Sequence, residues 1–523
     1  MENQIEYYHF AIENLLPVIQ KRSKLSCITF AIALIAVQQL YSFFRVPKNL
    51  RQFPRVSYFS MAKSFLTRES PTDRFKRIIL PVVNKGNGFY VSKVPFVWTV
   101  YVTNPVVAKQ LLLKSDIFPK NHAVFHQIGE NSPFSQFLGI DNVAISNGDV
   151  WKKQRKVMNP AFHRSLPIKT MVSVLNTLVS VIDKSDGPVP ITSAMQNFTL
   201  DVLGLAIFGF EFKALQGDPD NWTRTYKTVI DSLFDPVINV FATFDTLLTW
   251  VYPKRRECAV AIKKMNLKFD ELARQKRAEV KSGAYANVPD HEKDLLTLML
   301  EAMEKGEALT SDDELRHNIA VFFLAGHGTT AHTLSFCFYH LAKNKHIQRK
   351  LREEIISVLG DEPVDIVPSL EQMKNMKYMN LVIKENLRMN TPADTLFTRD
   401  TVKDISLAGQ FIPKDTAISI DINAIHHDPK YWHNPEHFIP ERFGEGGEQE
   451  SHEGLTWLPF SNGSRQCIGM NFSLAEQRLV LAMLVRKYEI DIPKDSIHYE
   501  RLIFDRPGNI APLSLGLTFT KRY

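Results

Sequence analysis

The chain has 523 residues, 44% hydrophobic and 23% charged, with a formal net charge of +7. Such a composition excludes a disordered chain, a collagen and a disulfide scaffold. So small a charge excess, without a zinc-finger or basic-region motif, speaks against a nucleic-acid partner. The four cysteines are Cys27, Cys258, Cys337 and Cys467. None sits in a CxxC pair, so no structural zinc or disulfide framework is indicated, and a reducing compartment fits.

Residues 1–24 form a polar tail containing Glu2, Glu6 and Glu13. Leu25 to Phe44 reads LSCITFAIALIAVQQLYSFF. This stretch carries no charge and is long enough to cross a bilayer as a helix. A cleaved signal peptide starts nearer the N-terminus and ends in small residues; this segment ends in aromatics, so a retained single-pass anchor is expected. Basic residues flank both sides (Lys21, Arg22 and Lys24; Arg45, Lys48 and Arg51), which orients it only weakly. Residues 45–56 contain Pro47 and Pro54 and read as a stiff basic tether. From 57 to 523 the chain reads as one mainly α domain with small β-sheets.

Within that domain, two polar breaks are expected to be surface loops, Ser282 to Lys293 and Gly444 to Gly454. Asp313 to Ala342 predicts one long helix, opened by the capping sequence Ser311-Asp312-Asp313-Glu314. Val367 to Met389 predicts another, with Pro392 beyond its end. Ile405 to Ile422 alternates around Ala408-Gly409 and Pro413-Lys414-Asp415 and predicts a small sheet. Leu474 to Lys487 predicts the last helix, followed by short strands around Leu513 to Thr520.

The chemistry concentrates in Trp457 to Gly469, WLPFSNGSRQCIG. A cysteine thiolate is a soft, electron-rich ligand for haem iron. It needs positive charge or backbone N–H groups nearby to stay ionised. Gly463 and Gly469 let the backbone turn closely around a sulfur. Cys467 also precedes a helix whose dipole favours an anion, and Arg465 suits a carboxylate such as a haem propionate. The bland alternative is a buried free cysteine in a glycine-rich loop.

Phe460, Gly463, Arg465, Cys467 and Gly469 together match the haem-binding signature of the cytochrome P450 family, which this chain resembles over nearly its whole length after the tether. Glu385 and Arg388 resemble the family's E-x-x-R pair. Arg442, in Pro440-Glu441-Arg442-Phe443, would join them in a buried cluster bracing the cysteine loop. Trp151 and Arg155 in WKKQR resemble the W-x-x-x-R helix that contacts a haem propionate, and Arg399 stands where the family has another propionate partner. His426, Asp428, Pro429 and Trp432 are similar too. The anchored arrangement resembles the microsomal type, and the wording is nearest to members from mucoralean moulds.

The resemblance implies the cytochrome P450 fold and haem b with an axial thiolate from Cys467. It implies a monooxygenase that inserts one oxygen atom of O2 into a C–H bond. Electrons would come from a separate NADPH–cytochrome P450 reductase, with a small haem electron carrier as a further donor, at the endoplasmic reticulum membrane with the catalytic domain cytosolic. Lys152, Lys153 and Lys156 would face that reductase or form an ordinary solvated face. In LAGHGTT, residues 324 to 330, Ala325 and Gly326 would leave room over the iron and Thr329 would be the oxygen-side alcohol. The family's acid position is Gly328, a departure. His327 cannot simply replace the acid, because neighbouring helix residues point roughly 100° apart. Gly328 keeps open a haem-thiolate isomerase, dehydratase or reductase that does not activate O2, and a haem sensor is a third reading. The substrate is expected to be lipophilic, with a steroid first. Phe125, Phe134, Phe137, Phe234, Phe241 and Phe244 lie where the family's pocket is often lined, but no motif separates that from ordinary core.

Overall fold

The computed structural model describes residues 29–30, 33–34, 37–38, 41, 44–93, 97–121, 132–164, 166–233, 235, 250–290, 292–307, 311–506 and 509–523. It divides into two units, Met1–Gln52 and Phe53–Tyr523. In the first unit, the described residues of the apolar segment are helical, and Phe30, Leu34, Val37 and Tyr41 are exposed. Lys48–Leu50 forms one tight turn after Pro47. The rest of the expected anchor, and the tail before it, lie outside the described residues.

The second unit begins inside the expected tether. The Val56 N–H donates to the Val91 carbonyl and the Val91 N–H to that of Pro54, each at 2.9 Å. Strand β1 (Phe89–Lys93) pairs antiparallel with β2 (Trp98–Val102). The helices that carry the site follow: α1 (Gly148–Arg164), α2 (Ile191–Leu203), α3 (Trp222–Leu233), α4 (Pro253–Lys281) and α5 (Asp312–Lys343). After α5 come α6 (Lys345–Leu359), α7 (Leu370–Asn375) and α8 (Lys377–Met389). Strand β3 (Arg399–Asp400) pairs antiparallel with β4 (Ala417–Ile420), which runs parallel to β2. The last helix is α9 (Met470–Lys487).

Helix α5 starts at the expected cap: the Ser311 hydroxyl accepts from the Glu314 N–H at 3.1 Å. Beyond its first turn α5 is buried for much of its length. It passes between two apolar clusters, one including α2, α6, α8 and α9, the other including α1, α3 and α4. Helix α2 with its following turn, Ile191–Phe208, is apolar enough to cross a membrane by composition, but 72% of it is buried in the protein, which makes it a core helix.

Two expectations need correction. The helix expected over Val367 to Met389 is two helices broken at Met376, whose backbone is extended (ψ 90°). A Ser369–Gln372 capping box starts α7. The Glu354 carboxylate accepts from the Tyr378 and Met379 N–H groups at 2.7 and 2.8 Å, so the start of α8 is capped from α6. The sheet expected over Ile405 to Ile422 is divided as well. Ile405–Leu407 and Gln410–Ile412 form a hairpin, turning at Ala408 and Gly409 with φ of 47° and 76°. Ala417–Ile420 instead joins β2, as the central β4.

Candidate functional site

The cysteine loop is fixed from both ends. The Cys467 N–H donates to the Phe460 carbonyl at 2.9 Å. Gly463 has φ +71°, and a Cβ there would stand 2.6 Å from the Leu112 carbonyl oxygen, so glycine is required by both conformation and space. Gly469 differs: its φ is −84°, and no atom other than its chain neighbours lies within 4 Å of where a Cβ would be. Its contribution is its N–H, which with that of Met470, at the start of α9, favours a thiolate at Cys467. Burial pushes the Cys467 thiol up, while those two N–H groups and Arg155 pull it down. Cys258 and Cys337 are buried, whereas Cys467, deep in the protein as it sits, keeps accessible surface.

Around this loop gather cations without carboxylate partners among the described residues. The Arg465 guanidinium lies 3.8 Å over the Trp151 ring and donates to Asn147 Oδ1 at 3.1 Å, leaving its buried Nη1 unpaired. Arg399, set by β3, donates to the Phe118 carbonyl at 2.8 Å and leaves its buried Nε unpaired. Burial lowers Arg465 to about 10, with Arg399 and Arg155 adding to the effect, and burial lowers Arg399 to about 10. Lys120 is pushed well down by burial and then by Arg399 and Arg465. Uncompensated buried charge with orphaned donors is costly. A ligand bearing carboxylates removes that cost, which is the requirement of haem propionates. Arg155 adds to this group and donates to the Gln466 carbonyl at 2.8 Å, beside the cysteine. Lys120 and Asn147 have no sequence signature, and it is the bridge between Lys120 and Arg399 that brings them to the site.

Behind the loop lies the charge cluster. Arg388 donates to both Glu385 oxygens at 2.7 and 2.9 Å, and to the carbonyls of His426 and Pro435. Arg442 reaches Glu385 at 3.3 Å and also pairs with Glu448. Glu385 accepts from the Ile439 N–H as well. The link to the cysteine loop runs through His426, whose Nδ1 donates to the Arg388 carbonyl and whose Nε2 accepts from the Leu458 N–H at 3.1 Å.

On the opposite side α5 carries Ala325 and Thr329, both exposed on a cavity of about 680 Å³. The Thr329 hydroxyl donates to the Ala325 carbonyl at 2.7 Å. Thr330 hydrogen-bonds Ser473 at 2.9 Å, tying α5 to the first turn of α9 after the cysteine. Gly326 corrects the sequence reading. It is not on the cavity wall; a Cβ there would stand 2.6 Å from Leu203 Cδ1 on α2. Its small size serves the crossing of two helices. His327 borders the same cavity, its buried ring set edge-on to Tyr226 at 4.8 Å. Of the six phenylalanines, Phe137 is core against Phe269 and Phe134 packs on the same cluster. Phe125, Phe234, Phe241 and Phe244 lie outside the described residues.

A thiol under helix N–H groups, beside cations that lack carboxylates, is the donor set of a haem-thiolate protein. The family model described as Cytochrome P450 matches residues 65–502, and the chain belongs to that family. It is thereby an oxidoreductase of the monooxygenase class. The family uses haem with a cysteine thiolate on the iron, and electrons from NADPH delivered through a reductase. Among relatives, the taurochenodeoxycholic 6 alpha-hydroxylase of Sus scrofa is 31% identical over 66% of this chain and 69% of its own. Cytochrome P450 3A11 of Mus musculus is 29% identical over 76% and 77%. Cytochrome P450 4F8 of Homo sapiens is 26% identical over 86% and 87%. Among solved structures, the cytochrome P450DA heme domain matches with a TM-score of 0.74 at 22% identity, covering 90% of this chain and 98% of that one.

Proposed function

We propose that this protein is a membrane-anchored monooxygenase that inserts one oxygen atom of O2 into a lipophilic substrate, with electrons from a separate NADPH–cytochrome P450 reductase. The observation that carries the reading is the exposed Cys467 thiol at the start of α9, beside Arg399 and Arg465 with their unpaired donors. In this reading Cys467 ligates the iron. Arg399, Arg465 and Lys120 hold the propionates, Trp151 backs Arg465, and Arg155 offsets the thiolate charge. Phe460, Gly463 and Gly469 shape the loop, and Glu385, Arg388 and Arg442 brace it. Bound there, haem supplies O2 binding and its reductive activation. Ala325 keeps the facing wall low, and Thr329, its proton committed to the helix, accepts from a cavity water.

A cavity of about 680 Å³ suits one medium-sized organic molecule. The steroid reading draws support from the pig relative, which is named for a hydroxylation of a taurochenodeoxycholic substrate. Its lining mixes apolar Met61, Phe65, Ile230 and Leu324 with polar Gln196 and Asp231, which fits a rigid apolar body bearing oxygen substituents. A panel of steroids, fatty acids and aromatic compounds, scored by the haem spin-state change, tests the substrate class; no response from any steroid would remove this assignment. The resemblance to mould members rests on the wording of the sequence, and the relatives reported above are mammalian. Gly328 favours one second reading, a haem-thiolate isomerase, dehydratase or reductase. Substrate-dependent O2 uptake that needs NADPH and reductase separates the two.

Thr329→Ala is expected to lower product formed per NADPH by about tenfold, the weight of one strong hydrogen bond lost where no acid assists, with hydrogen peroxide release rising to match. Unchanged product and peroxide would remove Thr329 from the proton path. Deleting residues 1–44 is expected to move most of the protein out of the membrane fraction with its haem spectrum intact. An undiminished membrane fraction would contradict this anchor, and secretion of a shortened chain would mark a signal peptide instead.

A further inference from the structure

The acid missing at position 328 leaves a specific question: which group of this chain holds water beside Thr329. Residues four apart on a helix share a face, and the residue one turn beyond Gly328 is His332. Apart from its chain neighbours and the backbone of its own helix, a Cβ built on Gly328 would have one neighbour within 4 Å, His332 Cε1 at 3.6 Å. The imidazole therefore borders the space into which an acid at 328 would project. Gly328, Thr329 and His332 all line the same cavity.

His332 is 2% exposed, and its Nε2 lies 3.1 Å from the Gln196 side-chain nitrogen on α2. An amide N–H can only donate, so Nε2 accepts and the ring proton belongs on Nδ1. Among the described residues no other group hydrogen-bonds the His332 side chain, which leaves its Nδ1–H free to donate. Burial, reinforced by His327 and Lys227, lowers the ring to about 3, so it is neutral at physiological pH and keeps one donor and one acceptor. The Thr329 hydroxyl, already donating to Ala325, has its lone pairs left to accept.

We propose that His332, oriented by Gln196, is a positioning residue that replaces the missing acid at Gly328: its Nδ1–H holds a cavity water that donates to Thr329. The inference rests on the monooxygenase reading and assigns this chain a solution to its own departure from the family pattern. Gln196 sets the tautomer, His332 supplies a fixed donor, and Gly328 leaves room for the water.

The test uses full-length holoenzyme with reductase and a turned-over substrate, comparing wild type, His332→Ala, His332→Gln, Gln196→Met and the double variant His332→Ala with Gly328→Asp. His332→Ala is expected to lower product per NADPH about fivefold, the weight of one neutral hydrogen bond, with peroxide rising. Restoring an acid in the double variant is expected to recover most of that loss, which a merely structural histidine would not allow. Gln196→Met is expected to lose less, in the same direction. The second readout needs no turnover: the C–O stretch of the reduced carbon monoxide complex is expected to shift on His332→Ala and to lose its sensitivity to deuterated solvent. Should His332→Ala misfold, His332→Gln, which retains a donor, is expected to couple better than Gln196→Met. Wild-type coupling and an unmoved C–O band in His332→Ala would overturn the proposal, as would a loss that Gly328→Asp fails to recover. If wild type consumes no O2 with any substrate, the monooxygenase reading fails instead, and the carbon monoxide band still decides where His332 points.

Discussion

Replacing Cys467 with alanine is expected to abolish the strongly red-shifted Soret band of the reduced carbon monoxide complex and, with it, all reductase-supported turnover. Among the described residues the sulfur has no substitute nearby. Cys258 and Cys337 are buried elsewhere, and burial pushes the Cys337 thiol up, away from ionisation. The cations and N–H groups around position 467 remain in the variant, so haem can still be captured through its carboxylates. The expected protein is thus haem-containing but spectrally changed. A red-shifted band that survives in Cys467→Ala would refute the ligand assignment.

Glu385→Ala has the second large effect expected. Glu385 and Arg388 are fully buried, and the change strips the carboxylate from Arg388, Arg442 and the Ile439 N–H at once. Removing one partner of a buried ion pair costs ~3–5 kcal/mol, a large share of the ~5–15 kcal/mol that holds a typical domain. The loss reaches the cysteine loop through the Arg388 carbonyl, His426 and Leu458. Purified Glu385→Ala is therefore expected to carry little haem and to melt well below wild type. Glu441→Ala is the internal control. Glu441 lies in the same turn as Arg442, but its pair with Lys350 is about half exposed on both sides, so its loss is expected to cost only ~0–1 kcal/mol. Equal effects from the two substitutions would contradict the bracing role.

Much of this was legible in the sequence because it is local. The cap at Ser311, the long α5, the final helix and the spacing of Phe460, Gly463, Arg465 and Cys467 each depend on residues close in the chain. What failed depends on partners far away. The break at Met376 is capped by Glu354 from another helix, a contact that no periodicity reveals. Ala417–Ile420 reads as a third strand of a local sheet, but its partner is Trp98–Val102, more than three hundred residues earlier. Gly326 fits the motif, yet its smallness is used against Leu203 of α2. Lys120 and Asn147 are invisible until the chain brings them beside Arg399 and Arg465. His332 carries no motif at all; only its place one turn beyond Gly328, together with Gln196, gives it meaning.

The function proposed for this chain is to activate O2 and place one of its atoms in a substrate. The most direct measurement supplies isotopically labelled O2 to the enzyme with NADPH, reductase and a substrate that shifts the haem spin state, and weighs the product by mass spectrometry. One labelled oxygen atom per product molecule, absent when NADPH or reductase is withheld, is the predicted result. A product formed with no label, or formed equally without NADPH, would contradict the claim and assign the same thiolate site to isomerisation, dehydration or reduction.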